Sequence, residues 1–196
     1  EPGQSRTTTY AYDGRGMQVG IVFPGAGAWN ADRSVLSGGG IAGEGPGVST
    51  TYDALGRAIA NRNAAGASSY RVYDAAGRLV GEIDELGQVS VHRYDSFGQR
   101  TETTRLAESF AFAAAPTLAQ FEAAVAGKAG RTLTYRYDSA GRLMETLQPE
   151  AEFRGADGVD RVGRASTRYF YNARGDLVRE AVVLDRASNG TETLAN

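Results

Sequence analysis

A single histidine and the absence of cysteine restrict the chemistry that the side chains of this chain could perform. A Ser-His-Asp system would have to use His92, because the sequence contains no other imidazole. His92 stands two residues before a turn tyrosine, and the same position in two later copies of the pattern holds Tyr135 and Tyr169. This register predicts that His92 is a flat ring packed in a column of tyrosines, and not a catalytic base. The lack of cysteine excludes disulfide bonds and thiolate metal sites.

The 23 carboxylates could supply the acid and base pair of a glycosidase. Four aspartates stand first in a turn pattern, which accounts for them: Asp53, Asp74, Asp95 and Asp138. Asp157 and Asp160 flank a glycine and loosely suggest calcium, but the EF-hand spacing with its final glutamate is missing. The glycine runs near 25 and 38 lack the Gly-Lys-Ser/Thr ending of a phosphate loop. We therefore predict no catalytic, metal-binding or cofactor-binding residues and no enzymatic activity.

Aspartate or asparagine followed three residues later by glycine recurs along the chain. The copies begin at residues 13, 53, 63, 74, 84, 95, 138, 160 and 172. Tyrosine precedes alternate copies, and Tyr52, Tyr73 and Tyr94 lie 21 residues apart. A fixed period of this size indicates a repeat architecture built by stacking one supersecondary unit. The chain is therefore expected to be a repeat protein.

Each repeat is predicted to contain two turns and two short antiparallel strands. Aspartate first and glycine fourth favours a type I turn that ends in a glycine with positive φ. The intervening six or seven residues are rich in tyrosine and valine, which suits strands. The predicted structural motif comprises Tyr52, Asp53, Gly56, Arg57, Tyr73, Asp74, Gly77, Arg78, Tyr94, Asp95, Gly98, Tyr137, Asp138, Gly141, Arg142, Tyr171, Asn172 and Gly175.

Three insertions interrupt the spacing, at 23–47, 106–130 and 148–163. All three replace turns that lack the tyrosine, so they are predicted to emerge on one edge of the sheet, opposite the tyrosine turns. The second insertion has helical spacing, and we expect a helix near 116–127 that packs Leu118, Phe121 and Val125 on the sheet. The first contains Trp29, which is our candidate ligand contact on this edge.

The composition limits the possible partners. Twenty-one basic residues nearly balance the acidic ones and form no basic stripe, so a nucleic-acid partner is not expected. No apolar run approaches the ~20 residues of a membrane span. The chain has no visible signal peptide, and a repeat is already under way near residue 10. We therefore expect one domain, 1–196, that is a fragment of a larger protein.

The best copies of the motif are residues 73–79 and 137–143, which read Tyr-Asp-x-x-Gly-Arg-Leu. They resemble the YD repeat of the Rhs family, which includes bacterial Rhs proteins, toxin-complex B and C subunits, and teneurins. The resemblance covers about residues 6–184. It implies an open antiparallel β-ribbon that spirals into a hollow shell around a C-terminal toxin. The family's self-cleaving aspartates lie near an Asp-Pro, which this sequence lacks, so that activity is not expected here.

The predicted fold is all-β, an open antiparallel spiral of about twelve short strands with one inserted helix. The predicted function is a structural shell segment of a secreted or cell-surface delivered bacterial polymorphic toxin, whose partners are the rest of its shell and the enclosed toxin. The alternative is a module that binds carbohydrate or a cell-surface protein through the decorated edge; glycan binding that depends on Trp29 would favour it.

The terminal strands are a further prediction. The first, near Thr7–Tyr12, has no charge or proline, and the last, near Leu177–Leu184, has only two charged residues before its final leucine. Edge strands of this kind recruit other chains. We therefore expect self-association of the fragment by strand addition.

Overall fold

The described part of the molecule is one open antiparallel sheet with a single helix packed on it. The structure is a computed structural model that describes residues 8–23, 47–154, 158–187 and 192–194. Its strands are β1 (Thr9–Tyr12), β2 (Gln18–Val22), β3 (Gly47–Tyr52), β4 (Ala58–Arg62), β5 (Ser68–Tyr73), β6 (Leu79–Ile83), β7 (Gln88–Tyr94), β8 (Arg100–Ser109), β9 (Gly130–Tyr137), β10 (Leu143–Leu147), β11 (Ala151–Arg154), β12 (Asp160–Tyr171), β13 (Leu177–Ala187) and β14 (Glu192–Leu194).

The sheet follows the order of the chain. Each strand pairs with the next, except that β10 pairs with β12 and β11 pairs only with β12. The sheet does not close, because β1 and β14 stand at opposite ends of this order. The predicted all-β, open antiparallel class is confirmed. The structure describes fourteen strands, compared with the predicted number of about twelve.

The strand predicted near Leu177–Leu184 is present, but it is longer than predicted and is not the last strand. It continues from Leu177 to Ala187, and β14 pairs with it through Val183 and Leu194. β12 pairs with β13 along its length, whereas β14 covers the other side of β13 only from Val183 to Arg186. Extended pairing with the long β12 favours a strand that continues beyond the usual repeat length.

The repeated turns have the predicted geometry. At the turn that begins with Asp74, the N–H of Gly77 donates to the Asp74 carbonyl (3.0 Å), and the N–H of Asp74 donates to the Arg78 carbonyl (2.9 Å). Gly77 has φ +81°, which an L side chain rarely adopts. The same two backbone bonds form at the turns that begin with residues 13, 53, 63, 84, 95, 138 and 172.

The predicted turn at Asp160–Gly163 is wrong. These residues lie in β12 and pair in register with β11, from Asp160 opposite Arg154 to Gly163 opposite Ala151. The chain reverses before Asp160, and Gly158 lies in that connection with φ +77°. A glycine that can take positive φ therefore precedes Asp160, and the Asp160–Gly163 spacing is left within an extended strand.

Alternate connections of an antiparallel meander lie on the same edge of the sheet. The tyrosine turns join β1 to β2, β3 to β4, β5 to β6, β7 to β8, β9 to β10 and β12 to β13. The other edge carries two short turns, at Asn63 and Asp84, and the connections that follow β2, β8, β10 and β13. Trp29 and residues 24–46 lie outside the described residues.

The second insertion folds back over the sheet. Its helix α1 (Leu118–Val125) begins with a capping box between Thr117 and Gln120, which confirms the predicted helix with slightly shorter bounds. Phe121 is buried against β6, where a Cβ at Gly81 would collide with its ring. Glycine at this position therefore allows the close approach of the helix to the sheet.

The main core lies between α1 and strands β5–β8. Its buried members are Tyr70, Val72, Ile83, Val89, Leu106 and Phe121, and Leu118 and Val125 pack against them as predicted. Leu147, Ser166 and Val183 are also buried on neighbouring strands β10, β12 and β13. The inserted helix thus supplies an apolar cover that a single open sheet lacks.

Candidate functional site

The tyrosine turns present the most regular arrangement of polar side chains in the described chain. At the second turn, Asp53 Oδ1 accepts from the N–H groups of Leu55 and Arg57, both at 2.9 Å. Asp53 Oδ2 accepts from Arg57 Nε at 2.7 Å. Both carboxylate oxygens are therefore used within the turn.

The same arrangement recurs at two later turns. Asp74 Oδ2 lies 2.7 Å from Arg78 Nε, and Asp138 Oδ2 lies 2.8 Å from Arg142 Nε. In each case the backbone N–H of the arginine also donates to Oδ1 of the aspartate. Arginine stands four residues after aspartate because, from that position, its backbone N–H and its Nε can both donate to the aspartate carboxylate.

These contacts lower the carboxyl pKa values. The backbone N–H of Arg57 is the main cause for Asp53, followed by opposing burial and then the Arg57 side chain, and the pKa falls below the ordinary value of 3.8. Asp138 is lowered by the backbone and side-chain donors of Arg142. For Asp74, burial acts to raise the pKa, but the Arg78 donors outweigh it.

Each arginine also reaches the next tyrosine turn along the edge. The guanidinium of Arg57 lies over the ring of Tyr73, 4.6 Å from its centroid. Arg78 lies over Tyr94 at 5.1 Å, and Arg142 over Tyr171 at 4.8 Å. Contacts of this kind stabilise by about 0.5–1 kcal/mol when exposed. Aspartate thus orients an arginine that binds the following repeat.

The tyrosine hydroxyl completes the contact. Tyr73 donates to the carbonyl of Ala58 (3.2 Å) and Tyr94 to that of Leu79 (2.7 Å), in each case the residue after the stacking arginine. Tyr52, Tyr137 and Tyr171 donate to the equivalent carbonyls of their preceding repeats. We call this Asp–Arg–Tyr linkage between consecutive turns the tyrosine ladder.

The ladder continues where the motif departs from its consensus. In the first turn Arg15, two residues early, pairs with Asp13 and donates to the carbonyl of Asp53 at 2.9 Å. In the fourth turn Gln99 replaces arginine, and the following Arg100 lies over Tyr135 at 5.3 Å. Four of the five pairs of consecutive tyrosine turns in the described residues are therefore linked through an arginine side chain, and in the remaining pair the arginine lies over the tyrosine two residues before the turn tyrosine.

In the last turn the first residue donates a hydrogen bond to the side chain of the fifth residue, whereas in the three turns with aspartate first and arginine fifth it accepts one. Asn172 replaces aspartate and donates from Nδ2 to Asp176 Oδ2 at 2.9 Å. Asn172 Oδ1 still accepts from the N–H groups of Arg174 and Asp176. A side-chain oxygen is therefore sufficient to form the turn, and a negative charge is not required.

His92 is buried and has polar partners that its tyrosine register did not predict. Its Nδ1 lies 3.1 Å from Thr103 Oγ1, and its Nε2 lies 3.2 Å from Glu82 Oε2. Both ring nitrogens are thus engaged by strands β6 and β8, which flank β7. Thr103 is directly opposite His92, a pairing that follows only from the strand register.

A second buried group, Glu145, was also missed by the sequence reasoning. It accepts from Arg136 Nη1 at 3.0 Å and lies 3.2 Å from Arg168 Nε. These arginines are opposite Glu145 on β9 and β12. The carboxylate is therefore neutralised by a structural pair of cations across three strands, and no catalytic role follows from its burial.

Within the ranges that the structure describes, no three histidine, cysteine, aspartate or glutamate side chains are grouped to hold a metal ion. The only helix in those ranges, α1, is too short to cross a membrane.

Substitutions at Asp74 separate turn formation from charge. We predict that Asp74→Ala lowers the free energy of unfolding by about 0.5–2 kcal/mol, as the loss of a comparable side-chain cap does. Asp74→Asn should lose less, because Asn63 and Asn172 form the same turn with their amide oxygens. Urea midpoints of the three proteins measure the difference. Equal losses for alanine and asparagine would contradict a role for the oxygen.

Acid should weaken the fold through the same carboxylates. Their folded-state pKa values are lowered, so the unfolded chain binds more protons below the ordinary value of 3.8. Their stabilising contribution is fully present above that value and is lost as the pH falls through the lowered pKa. We expect the urea midpoint of Asp53→Asn/Asp138→Asn to fall less than that of the parent between about pH 5 and about pH 3. An identical fall in both proteins would refute this assignment.

Known proteins are similar to part of this chain in sequence and to nearly all of it in fold. The family model described as RHS Repeat matches residues 73–107. A search of curated proteins found no match. The pore form of the Tc holotoxin from Photorhabdus luminescens matches with a TM-score of 0.57 and 18% identity, over 97% of this chain and 8% of that chain.

Two crystal structures are similar to the same extent. The TcdB2-TccC3-Cdc42 structure and the structure of TcdB2-TccC3 without its hypervariable C-terminal region each match with a TM-score of 0.56 and 18% identity. Each match covers 97% of this chain and 9% of that chain, so the chain spans less than a tenth of these relatives. At this identity the likeness shows the fold. Together with the periodic Tyr-Asp-x-x-Gly motif, the repeat model matched over residues 73–107 supports the predicted resemblance to the YD-repeat, or Rhs-repeat, family.

Proposed function

We propose that the chain is a structural segment of a YD-repeat shell that encloses a toxin polypeptide. The tyrosine ladder is the observation that carries the proposal. Its aspartates, arginines and tyrosines bind each other and the backbone of neighbouring repeats. Such side chains serve to hold a long ribbon in register, which is the property that a container wall requires.

The similar structures support this role by their architecture. Almost all of this chain matches a small part of proteins described as a Tc holotoxin and as TcdB2-TccC3 assemblies. One of these is described as lacking a hypervariable C-terminal region. By analogy, the partners proposed for this chain are the remainder of its own shell and a toxin segment within it.

The remaining expectations extend the same proposal. A shell of this kind would be secreted by a bacterium or delivered to a cell surface, as part of a polymorphic toxin. Self-association of the isolated chain through an edge strand stays a prediction, with β1 as the candidate because Tyr10 and Tyr12 are exposed on it. Carbohydrate or cell-surface binding at the decorated edge also stays a prediction, since Trp29 lies outside the described residues.

Protection from protease tests enclosure directly. In the parent polypeptide that contains this chain, the segment after the repeats should resist a protease that digests the same segment when it is expressed alone. The ladder variant Arg57→Ala/Arg78→Ala/Arg142→Ala removes three stacking contacts. We expect it to be digested about ten-fold faster or more, because weakened repeats open more often.

A matched control variant loses the same number of positive charges at other positions. Arg93→Ala/Arg131→Ala/Arg174→Ala removes three exposed arginines that do not stack on a turn tyrosine, and it should protect the segment as the parent does. Digestion of the segment in the parent at the rate of the free segment would contradict enclosure. Equal rates in the two triple variants would contradict the role of the ladder.

A further inference from the structure

A groove of about 560 Å³ opens on the edge opposite the tyrosine turns. It lies between the turn Asp84–Gly87 and the segment 110–113, which leaves β8 and leads towards α1. Tyr70 and Ile83 line it, together with Leu86 and Phe112. The rings of Phe110 and Phe112 are stacked, with centroids 6.4 Å apart. We call this feature the acidic groove, for the charges described below.

Specific backbone contacts hold the two walls of the acidic groove together. The N–H of Phe110 donates to the Gly87 carbonyl at 2.8 Å, and the hydroxyl of Tyr70 donates to the Phe112 carbonyl at 3.1 Å. A Cβ at Gly87 would collide with the Phe110 carbonyl, so the turn and the segment approach as closely as glycine allows. The groove is therefore formed before any partner arrives, which reduces the entropic cost of binding.

The charge of the groove is one-sided. Among the residues that the structure describes, Asp84 and Glu85 line it and no arginine, lysine or histidine does, although Arg71 and Arg105 line a neighbouring hollow that also includes Asp84. Asp84 Oδ1 accepts from the N–H groups of Leu86 and Gln88, but the position that holds arginine in the tyrosine turns is here Gln88. Among the described residues, no cation forms an ion pair with Asp84 or Glu85.

An exposed apolar side chain stands beside these carboxylates. Leu86 is 82% exposed at the tip of the turn. Lys128, which contacts the Phe110 ring, is paired with Glu108 at 2.8 Å and so does not neutralise the groove. Preformed walls, aromatic and aliphatic lining, and two carboxylates without an ion pair among the described residues occur together here and not at the tyrosine turns.

We propose that the acidic groove binds an extended polypeptide segment in which basic and apolar residues alternate. Arginine or lysine side chains would pair with Asp84 and Glu85, and apolar side chains would pack on Leu86 and the Phe112 ring. Negative charge disfavours nucleic acid and anionic lipid as occupants. The proposal does not rest on the scaffold role, because it depends only on the lining of this groove.

Two short peptides of opposite charge test the proposal. Acetylated, amidated Leu-Arg-Leu-Arg-Leu and Leu-Glu-Leu-Glu-Leu are titrated into the chain, and binding is followed by calorimetry and by the amide NMR shifts of Leu86 and Phe112. We expect saturable binding of the basic peptide alone, with shifts confined to the groove. Glu85→Gln and Leu86→Ala should each weaken its binding about five-fold, as expected for loss of one contact of about 1 kcal/mol.

Leu55→Ala is the matched control. Leu55 is 78% exposed and occupies the same position of a tyrosine turn, but it does not line the groove. It should leave the affinity for the basic peptide unchanged, and unchanged urea midpoints would show that all three variants fold. Absence of saturable binding at millimolar peptide would overturn the proposal. So would equal affinity for both peptides, or an equal loss in Leu55→Ala and Leu86→Ala.

Discussion

The contact on which the rest of the structure depends is the arginine that joins one tyrosine turn to the next. Arg57 and Arg78 are each held by an aspartate of their own turn and stack on a tyrosine of the following one. A hairpin alone is marginally stable in water, and an open sheet gains stability only from its neighbours. The ladder supplies a lateral contact at every repeat, in addition to the backbone hydrogen bonds. Its strength comes from repetition and not from any single pair.

The opposite edge has a different role. There the regular turns give way to longer connections, and the one that contains α1 returns to cover the sheet between β5 and β8. Phe121 fills the space that Gly81 leaves on β6. An inserted segment can therefore contribute to the core and still form a groove where it leaves the sheet. One edge maintains the register of the ribbon, and the other edge is free to vary.

The turns and the helix could be predicted because both are encoded locally. The Asp74–Gly77 turn needs a side-chain oxygen and a glycine at fixed spacing, and α1 needs apolar residues at helical spacing with a cap. The turn expected at Asp160 failed because the same spacing fits an extended strand when another glycine precedes it. A local pattern indicates which structures a segment can form. For Asp160–Gly163, pairing with β11 selects the extended strand.

The cross-strand contacts could not be predicted in this way. The pairing of His92 with Glu82 and Thr103 depends on the register of β6, β7 and β8, and so does the position of Glu145 between two arginines. The motif revealed that Arg78 and Tyr94 recur, but not that they touch. Their contact requires the distance between adjacent repeats on one edge, which the sequence spacing does not contain.

A double-mutant cycle on Arg78 and Tyr94 tests the central claim most directly. The free energy of unfolding is measured for the parent, Arg78→Met, Tyr94→Leu and the double variant, and the pair Arg93 and Tyr94 serves as a comparison that lacks the stacking contact. The account predicts a coupling energy of about 0.5–1 kcal/mol for Arg78 and Tyr94 that persists in moderate salt, and a smaller one for the comparison pair. A coupling energy indistinguishable from zero would contradict it, because consecutive repeats would then be held together without the ladder.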